Sequence, residues 1–501
     1  MPEKLMPFIN GEKRESNTTV YTDVYDPSTG EVIAQAPCCT KEEVEEAIAA
    51  AAAAFPAWSQ TPCAKRVEVL YNFRDLLVKH MDELTYMLCR ENGKNWSESE
   101  GDILKVKEPV EVACGAPSLL MGETIMNVTS GYDSTLYREP IGVFAGIVPF
   151  NFPAMIPMGW IMPMCIATGN TLVLKAATMT PMTAHRLIEL LAEAGLPKGV
   201  VNVLTCSRNE AELFLTHPDV KGVTFVGSTE VGGHVYMTAA ANGKRVQCLT
   251  EAKNHAYIAE DAPIERTAAG VINSAFGCAG ERCMALPAIV VHESIADKLI
   301  EELLRQIKEK KIGPAYDKTT DLGPVVTAGH KQFILDWIAK GVEEGAKLIL
   351  DGRDTIVEGY EQGFYIGHTI FDHVTPEMSV GQCEIFGPVL CIKRVSGFEE
   401  AIGLMNANEF ANGSVIYTQS GYYAREFTRR THGGMVGVNV GIPVPAAMFP
   451  FAGHKHSFFG DLHCLGKDGL RFYTESKVVT SHWFDEETAK ETKVSTWDGV
   501  I

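Results

Sequence analysis

Thr171-Leu-Val-Leu174, Val200-Val-Asn-Val-Leu204 and Val223-Thr-Phe-Val226 are three short uncharged runs that decide the fold. Between the first two lies one helical pattern. It opens at Pro181, sets Leu187, Leu190 and Leu191 on one face, and stops at Gly195 and Pro197. Strand, helix and strand at this spacing predict a parallel sheet covered by helices. The second half of the chain repeats the pattern less regularly, with a strand at 288–291 and an amphipathic helix from about 295 to 310. The N-terminal part reads as strands and turns to about residue 37, with Asn10-Gly11 as a hairpin turn. Thr40-Lys-Glu-Glu43 has the form of a capping box and starts a helix through the alanine-rich run to Phe55. Pro62 begins a longer helical region ending near Gly93. Near the other end, Phe472-Tyr-Thr-Glu-Ser-Lys-Val-Val-Thr480 alternates like an exposed strand, an edge that calls for a partner chain.

At 501 residues the chain exceeds one core, so two large domains or three unequal ones are expected. A net charge of −19 argues against nucleic acid and anionic membrane surfaces as partners. Small anionic molecules respond to a local field and stay open. The 13 cysteines include no pair at the two-residue spacing of a zinc or redox motif, so no metal is expected. Their odd number, with no signal-peptide pattern, points to a reducing cytoplasm. From Pro140 to Leu174 no side chain is charged, a length that would cross a bilayer. Pro149, Pro153, Pro157 and Pro163 would interrupt such a helix, so a buried segment lining a site is expected.

Four stretches carry chemistry. In Ala275-Phe-Gly-Cys-Ala-Gly-Glu-Arg-Cys283-Met, a thiol directly after Arg282 closes a small-residue turn, where a neighbouring cation is expected to hold it partly ionised. In Val148-Pro-Phe-Asn-Phe-Pro-Ala-Met155, Asn151 is a lone amide suited to donate to an oxyanion. A nucleophilic sulfur with an amide donor is what carbonyl chemistry needs. Phe225-Val-Gly-Ser-Thr-Glu-Val-Gly232 follows a strand and opens a helix, where free N–H groups suit a pyrophosphate, although it is not the G-x-G-x-x-G fingerprint. Lys175 ends a strand at the edge where a doubly wound sheet binds ligands.

With these stretches, Gly169-Asn170, Glu384-Ile-Phe-Gly-Pro388 and Pro450-Phe-Ala-Gly-His-Lys455, the chain resembles the aldehyde dehydrogenases from about residue 6 to 483. Asn151-Phe-Pro-Ala-Met-Ile-Pro157, Ala252-Lys-Asn-His255, Gly280-Glu-Arg-Cys283 and Ser457-Phe-Phe-Gly460 are similar to the CoA-acylating methylmalonate/malonate semialdehyde dehydrogenases within them. The resemblance implies an α/β fold of two doubly wound Rossmann-like domains plus a β-strand oligomerisation arm. Residues 1–125 and 146–250 would form the cofactor domain, 251–440 the catalytic domain, and 126–145 with 465–501 the arm of a homo-oligomer, dimer or tetramer. It implies Cys283 as nucleophile, and Asn151 with the Cys283 backbone N–H as oxyanion donors. Phe150, Lys175, Ser228, Glu384 and Phe386 would hold a nicotinamide cofactor, and coenzyme A would be co-substrate.

Three departures from the family pattern shape the expected function. Leu249 stands where hydrolytic relatives carry a general-base glutamate, so a thioester would wait for CoA. Glu251, two residues on, would share a strand face with Leu249 and is the alternative base for a hydrolytic enzyme releasing the free acid. Lys105 stands where the subfamily has a pocket arginine, while Arg282 remains and His454 and His456 replace aromatic and small residues. A small anionic aldehyde is still expected, either carboxylated or sulfonated such as sulfoacetaldehyde. Thr178 replaces the glutamate that holds the adenosine ribose of NAD, and with Lys175 and Arg208 it tilts the expected cofactor from NAD towards NADP.

Overall fold

The uncharged strands are apolar because helices cover both faces of their sheet. In the computed structural model, which describes residues 2–490, five parallel strands form the centre of an eight-stranded sheet. They are β1 (Val143–Ile147), β2 (Thr171–Lys175), β3 (Val201–Leu204), β4 (Val220–Val226) and β5 (Arg245–Leu249), in the spatial order β5-β4-β1-β2-β3. The hairpin of Phe8–Ile9 and Glu12–Lys13 extends the sheet beyond β3, and Phe458–Gly460 lies antiparallel to β5. Asn10 and Gly11 both have positive φ (53° and 78°), as the expected two-residue hairpin turn requires.

The chain runs from β1 outward through β2 and β3, then returns to place β4 on the other side of β1. Strand order therefore reverses between β1 and β4, which opens a crevice at their C-terminal ends. Ile147, Lys175 and Phe225 sit level there as register partners. The covering helices include α1 (Lys41–Gln60), whose capping box forms through Thr40 and Glu43, α3 (Met182–Glu193) and α4 (Thr229–Ala241), while α2 (Trp96–Cys114) packs on neighbouring helices. The helical region expected from Pro62 to Gly93 breaks at His80 into Cys63–Lys79 and Met81–Asn92.

Around α5 (Ile264–Phe276), the second half builds a seven-stranded sheet. Its strands are β6 (His255–Ile258), β7 (Ala288–His292), β8 (Lys347–Leu350), β9 (Thr369–Asp372), β10 (Val389–Val395), β11 (Gly413–Tyr417) and β12 (Met435–Val438). They run β8-β9-β10-β7-β6-β11-β12, with only β8 antiparallel to its neighbour. The uncharged segment after Pro140 folds as β1, a π-helical stretch at Met155–Ile161, the helix Met162–Ala167 and β2. Among the described residues, no helix is long and apolar enough to cross a membrane.

A third, three-stranded antiparallel sheet joins Glu123–Thr129, Tyr132–Pro140 and the outer strand Thr474–His482. Residues 143–145, expected in this arm, instead begin β1, and 491–501 lie outside the described residues. Asn170 fastens the arm to the first sheet. Its buried Oδ1 accepts from the N–H groups of Ile141 (2.7 Å) and Gly142 (3.0 Å), and its Nδ2 donates to the Tyr473 carbonyl (2.8 Å). Each buried group left unpaired costs about 1–3 kcal/mol. Asn170→Ala is therefore expected to lower the denaturation midpoint and to speed amide exchange at 141–142 and along 474–482, read by hydrogen-exchange mass spectrometry.

Candidate active site

α5 ends at Phe276 and the backbone then turns left-handed for three residues: Cys278 (φ 52°), Ala279 (φ 51°) and Gly280 (φ 75°). A side chain at position 280 would collide with the Gly387 carbonyl, which is why the turn closes on glycine. Glu98, in the first turn of α2, holds the turn from outside. Its Oε1 accepts from the Cys278 N–H (2.7 Å) and from Arg282 Nη2 (3.2 Å). The Cys283 carbonyl accepts from the amides of Asn254 (2.9 Å) and Asn412 (3.2 Å). Asn254 also donates to the Ala285 carbonyl and accepts from the Gly413 N–H.

So fixed, Cys283 borders three cavities. One of about 490 Å³ is lined by Gly101, Lys105, Phe152, Trp160 and Arg282 among others. A second, of about 160 Å³, opens at the strand-order reversal between β1 and β4. Phe150 and Asn151 follow β1 into it, Gly227 and Ser228 follow β4, and Glu251, Glu384 and Phe386 complete it. The third is a void of about 10 Å³ beside Leu249, barely space for one water.

Asn151 Nδ2 donates to the Glu281 carbonyl (3.0 Å), leaving its second N–H free. The Phe150 carbonyl is held by Asn92 (3.0 Å) and Thr180 (2.9 Å), and its ring packs edge-on against Phe386 and His330. Ser228 is exposed at the start of α4 and its side chain caps nothing. Glu251 lies beyond the end of β5, so it shares no strand face with Leu249. Its Oε2 instead accepts the Thr229 N–H at the α4 terminus (2.8 Å). Glu384 accepts from the Ala252 N–H, and burial, then the charge of Glu251, holds its carboxyl well above the usual range.

The expected charge partner of the nucleophile needs correction. Arg282 Nε reaches Cys278 Sγ (3.0 Å) and its Nη2 pairs with Glu98, so the cation is engaged away from Cys283. Burial first, and Glu384 second, pushes the Cys283 thiol up to about 12. At neutral pH this shift favours the thiol over the thiolate. Lys105 lines the larger cavity but is paired with Glu108 (2.6 Å). His454 is exposed on a short strand beside Ala411, bonded to the His432 carbonyl, and lines none of the three cavities. Lys175 ends β2, Thr178 is half-buried just after it, and Arg208 is exposed at the start of the helix Arg208–Thr216. None of these three lines the cavities at Cys283.

Sequence reasoning missed a buried ion pair beneath the larger cavity. Lys94 Nζ lies 2.8 Å from Asp102 Oδ2 and 3.6 Å from the centre of the Phe152 ring. Asp102 Oδ1 accepts the Met155 N–H that opens the π-helical stretch. The only signal was Asp102 itself, in the Gly101-Asp motif. Also missed was His330, whose Nε2 is 2.8 Å from the Phe386 carbonyl.

Residues 13–479 match the model of the aldehyde dehydrogenase family. The chain is 48% identical over 482 residues to malonate-semialdehyde dehydrogenase 1 of Geobacillus thermodenitrificans, covering 96% of this chain and 99% of that one. The crystal structure of methylmalonate-semialdehyde dehydrogenase from Oceanimonas doudoroffii superposes with a TM-score of 0.95 at 42% identity, covering 97% of this chain and all of that one. A Sinorhizobium meliloti 1021 protein that carries the same designation provisionally, solved complexed with NAD, gives 0.95 at 43% identity, covering 97% and 99%.

The protonated sulfur has a direct readout. In the free protein, alkylation of Cys283 by iodoacetamide is expected to rise ~tenfold per pH unit from 7 to 10, because only the thiolate reacts. Peptide mass spectrometry follows the rate, and a plateau near pH 8 would show an ionised thiol instead.

Proposed function

Because the chain belongs to the aldehyde dehydrogenase family, we propose that it oxidises a small anionic semialdehyde through a Cys283 thioester to an acyl-CoA. Semialdehyde oxidation is in keeping with the names of its relatives. The observation that carries the CoA step is Leu249: this side chain borders Cys283 through a void with no carboxylate in its wall.

The cavity at the reversal of strand order fits a nicotinamide cofactor. The remaining backbone N–H groups at the start of α4, beside Glu251 on the Thr229 N–H, and the uncapped Ser228 would suit its phosphates, Phe150 and Phe386 would flank it, and Glu384 would face its nicotinamide end. Lys175, Thr178 and Arg208 would serve the adenosine end. When bound, the cofactor supplies the hydride acceptor.

The protein's own residues do the rest. The Cys283 thiol gives its proton to an ionised carboxylate of the same cavity, in whose wall Glu251 and Glu384 both stand. The sulfur attacks the aldehyde carbon, and the free N–H of Asn151, with the Cys283 backbone N–H, meets the oxygen as it becomes an anion. Loss of hydride from this adduct leaves a thioester on Cys283. The CoA thiol then takes the acyl group, and a β-carboxylate substrate loses CO2 on the way. Lys105 and Arg282 would face the anionic group of the aldehyde. Lysine offers a point charge without a fork, so a sulfonate such as that of sulfoacetaldehyde is received as readily as a carboxylate. The exposed Ile125 and Val478 on the three-stranded sheet support a homo-oligomer.

Without CoA, the enzyme is expected to reduce one equivalent of cofactor in a burst and then stall, with Cys283→Ala abolishing the burst. Sustained release of the free acid in CoA-free buffer would instead select the hydrolytic reading with Glu251 as base.

NADP is the favoured cofactor because Thr178 removes a carboxylate from the 2′-phosphate position. Such a carboxylate about 4 Å away would cost roughly 4 kcal/mol at an effective dielectric near 20. Thr178→Glu is expected to shift the ratio of kcat/KM strongly from NADP towards NAD, and an unchanged ratio refutes the assignment.

A further inference from the structure

The cavity proposed for an anionic aldehyde has carboxylates in its wall beside its cations. Glu98 and Asp102 line it with Lys105 and Arg282. Asp102 is matched by the buried Lys94, and Lys105 by Glu108. Arg282 and Glu98 are matched to each other, at side-chain exposures of 15% and 13%.

This last pair is only half used. Both hydrogen bonds to Glu98 fall on Oε1, from the Cys278 N–H and Arg282 Nη2, and among the described residues Oε2 accepts from no protein group. Arg282 gives three of its five N–H groups, to Cys278 Sγ, the Asn273 carbonyl and Glu98. Two donors and one strong acceptor therefore remain unpartnered on these two paired side chains, in a wall that also holds Ser97 and Asn273 and is shared, at Glu98, with a neighbouring cavity of about 400 Å³. A ligand that is only anionic satisfies the donors but sets its charge against Glu98. A ligand that carries a second cation meets Arg282 and Lys105. A ligand with an anionic group and a neutral hydrogen-bond donor satisfies all of them.

We propose that Glu98 is a substrate-binding residue, and that the aldehyde taken by this cavity carries a hydroxyl beside its anionic group. Its anion would sit on Arg282 and Lys105, and its hydroxyl would donate to Glu98 Oε2. The inference rests on the anionic-aldehyde reading of the same cavity and names the substrate class within it.

The test compares malonate semialdehyde with its 2-hydroxy derivative, which differ by one hydroxyl, and adds propanal as the neutral control. The burst of reduced cofactor is measured without CoA, so the outcome does not depend on the acyl acceptor. Wild type is expected to favour the 2-hydroxy compound ~10- to 100-fold in rate constant over concentration, the worth of one hydrogen bond to a charged group. Glu98→Gln is expected to bring the ratio near unity, chiefly by slowing the hydroxylated substrate. Wild-type preference for malonate semialdehyde, or equal loss on both substrates in Glu98→Gln, overturns the role of Glu98 and leaves the anionic reading standing. Propanal outperforming both acids overturns the anionic reading and this inference with it.

Discussion

The left-handed run at 278–280 is the constraint on which the rest of the site depends. Two of its three residues bear side chains, and such backbone states cost about 1–3 kcal/mol each. They persist because the turn is gripped from several sides. Glu98 takes the Cys278 N–H, the Gly387 backbone packs onto Gly280, and Asn254 and Asn412 hold the Cys283 carbonyl. The grip sets one sulfur between a larger cavity beside α2 and a narrower one at the crevice of the first sheet. The two cavities thus reach Cys283 from separate sides, one set by side chains of α2 and the turn, the other by strand ends.

The floor of the larger cavity uses a costly device. Lys94 and Asp102 are both buried, and removing one partner of such a pair costs 3–5 kcal/mol in typical proteins because a bare charge remains. Its return is positional. Asp102 fixes the first N–H of the π-helical stretch, and Lys94 covers the Phe152 ring, so two walls facing Cys283 are tied to one ion pair. Asn170 plays a comparable part farther off, joining β1, β2 and the outer sheet through one amide.

What is legible in the sequence is what depends on near neighbours. The three uncharged runs are parallel strands, Thr40 and Glu43 form their cap, and Asn10-Gly11 is a hairpin turn, because periodicity and local hydrogen bonding decide each of these. Cys283 and Asn151 are brought to one cavity wall. Direction is not legible. Arg282 adjoins Cys283 in the chain, yet the left-handed turn returns its guanidinium to Cys278 and Glu98. Glu251 is two residues from Leu249, but the strand ends between them, and the carboxylate caps a helix instead. His454 follows the Phe451-Ala-Gly453 run but faces solvent beside Ala411. Lys94 and Asp102 meet across a helix start, a pairing no period describes.

The raised thiol of Cys283 has a consequence beyond catalysis. Peroxides attack thiolates, and susceptibility to oxidation follows thiolate character and exposure. A sulfur kept protonated at rest is a poor target, and the eleven other cysteines with raised thiols, Cys278 and Cys248 among them, are held up in the same way, by desolvation first. Burial thereby keeps most of this chain's sulfur out of the reactive thiolate form.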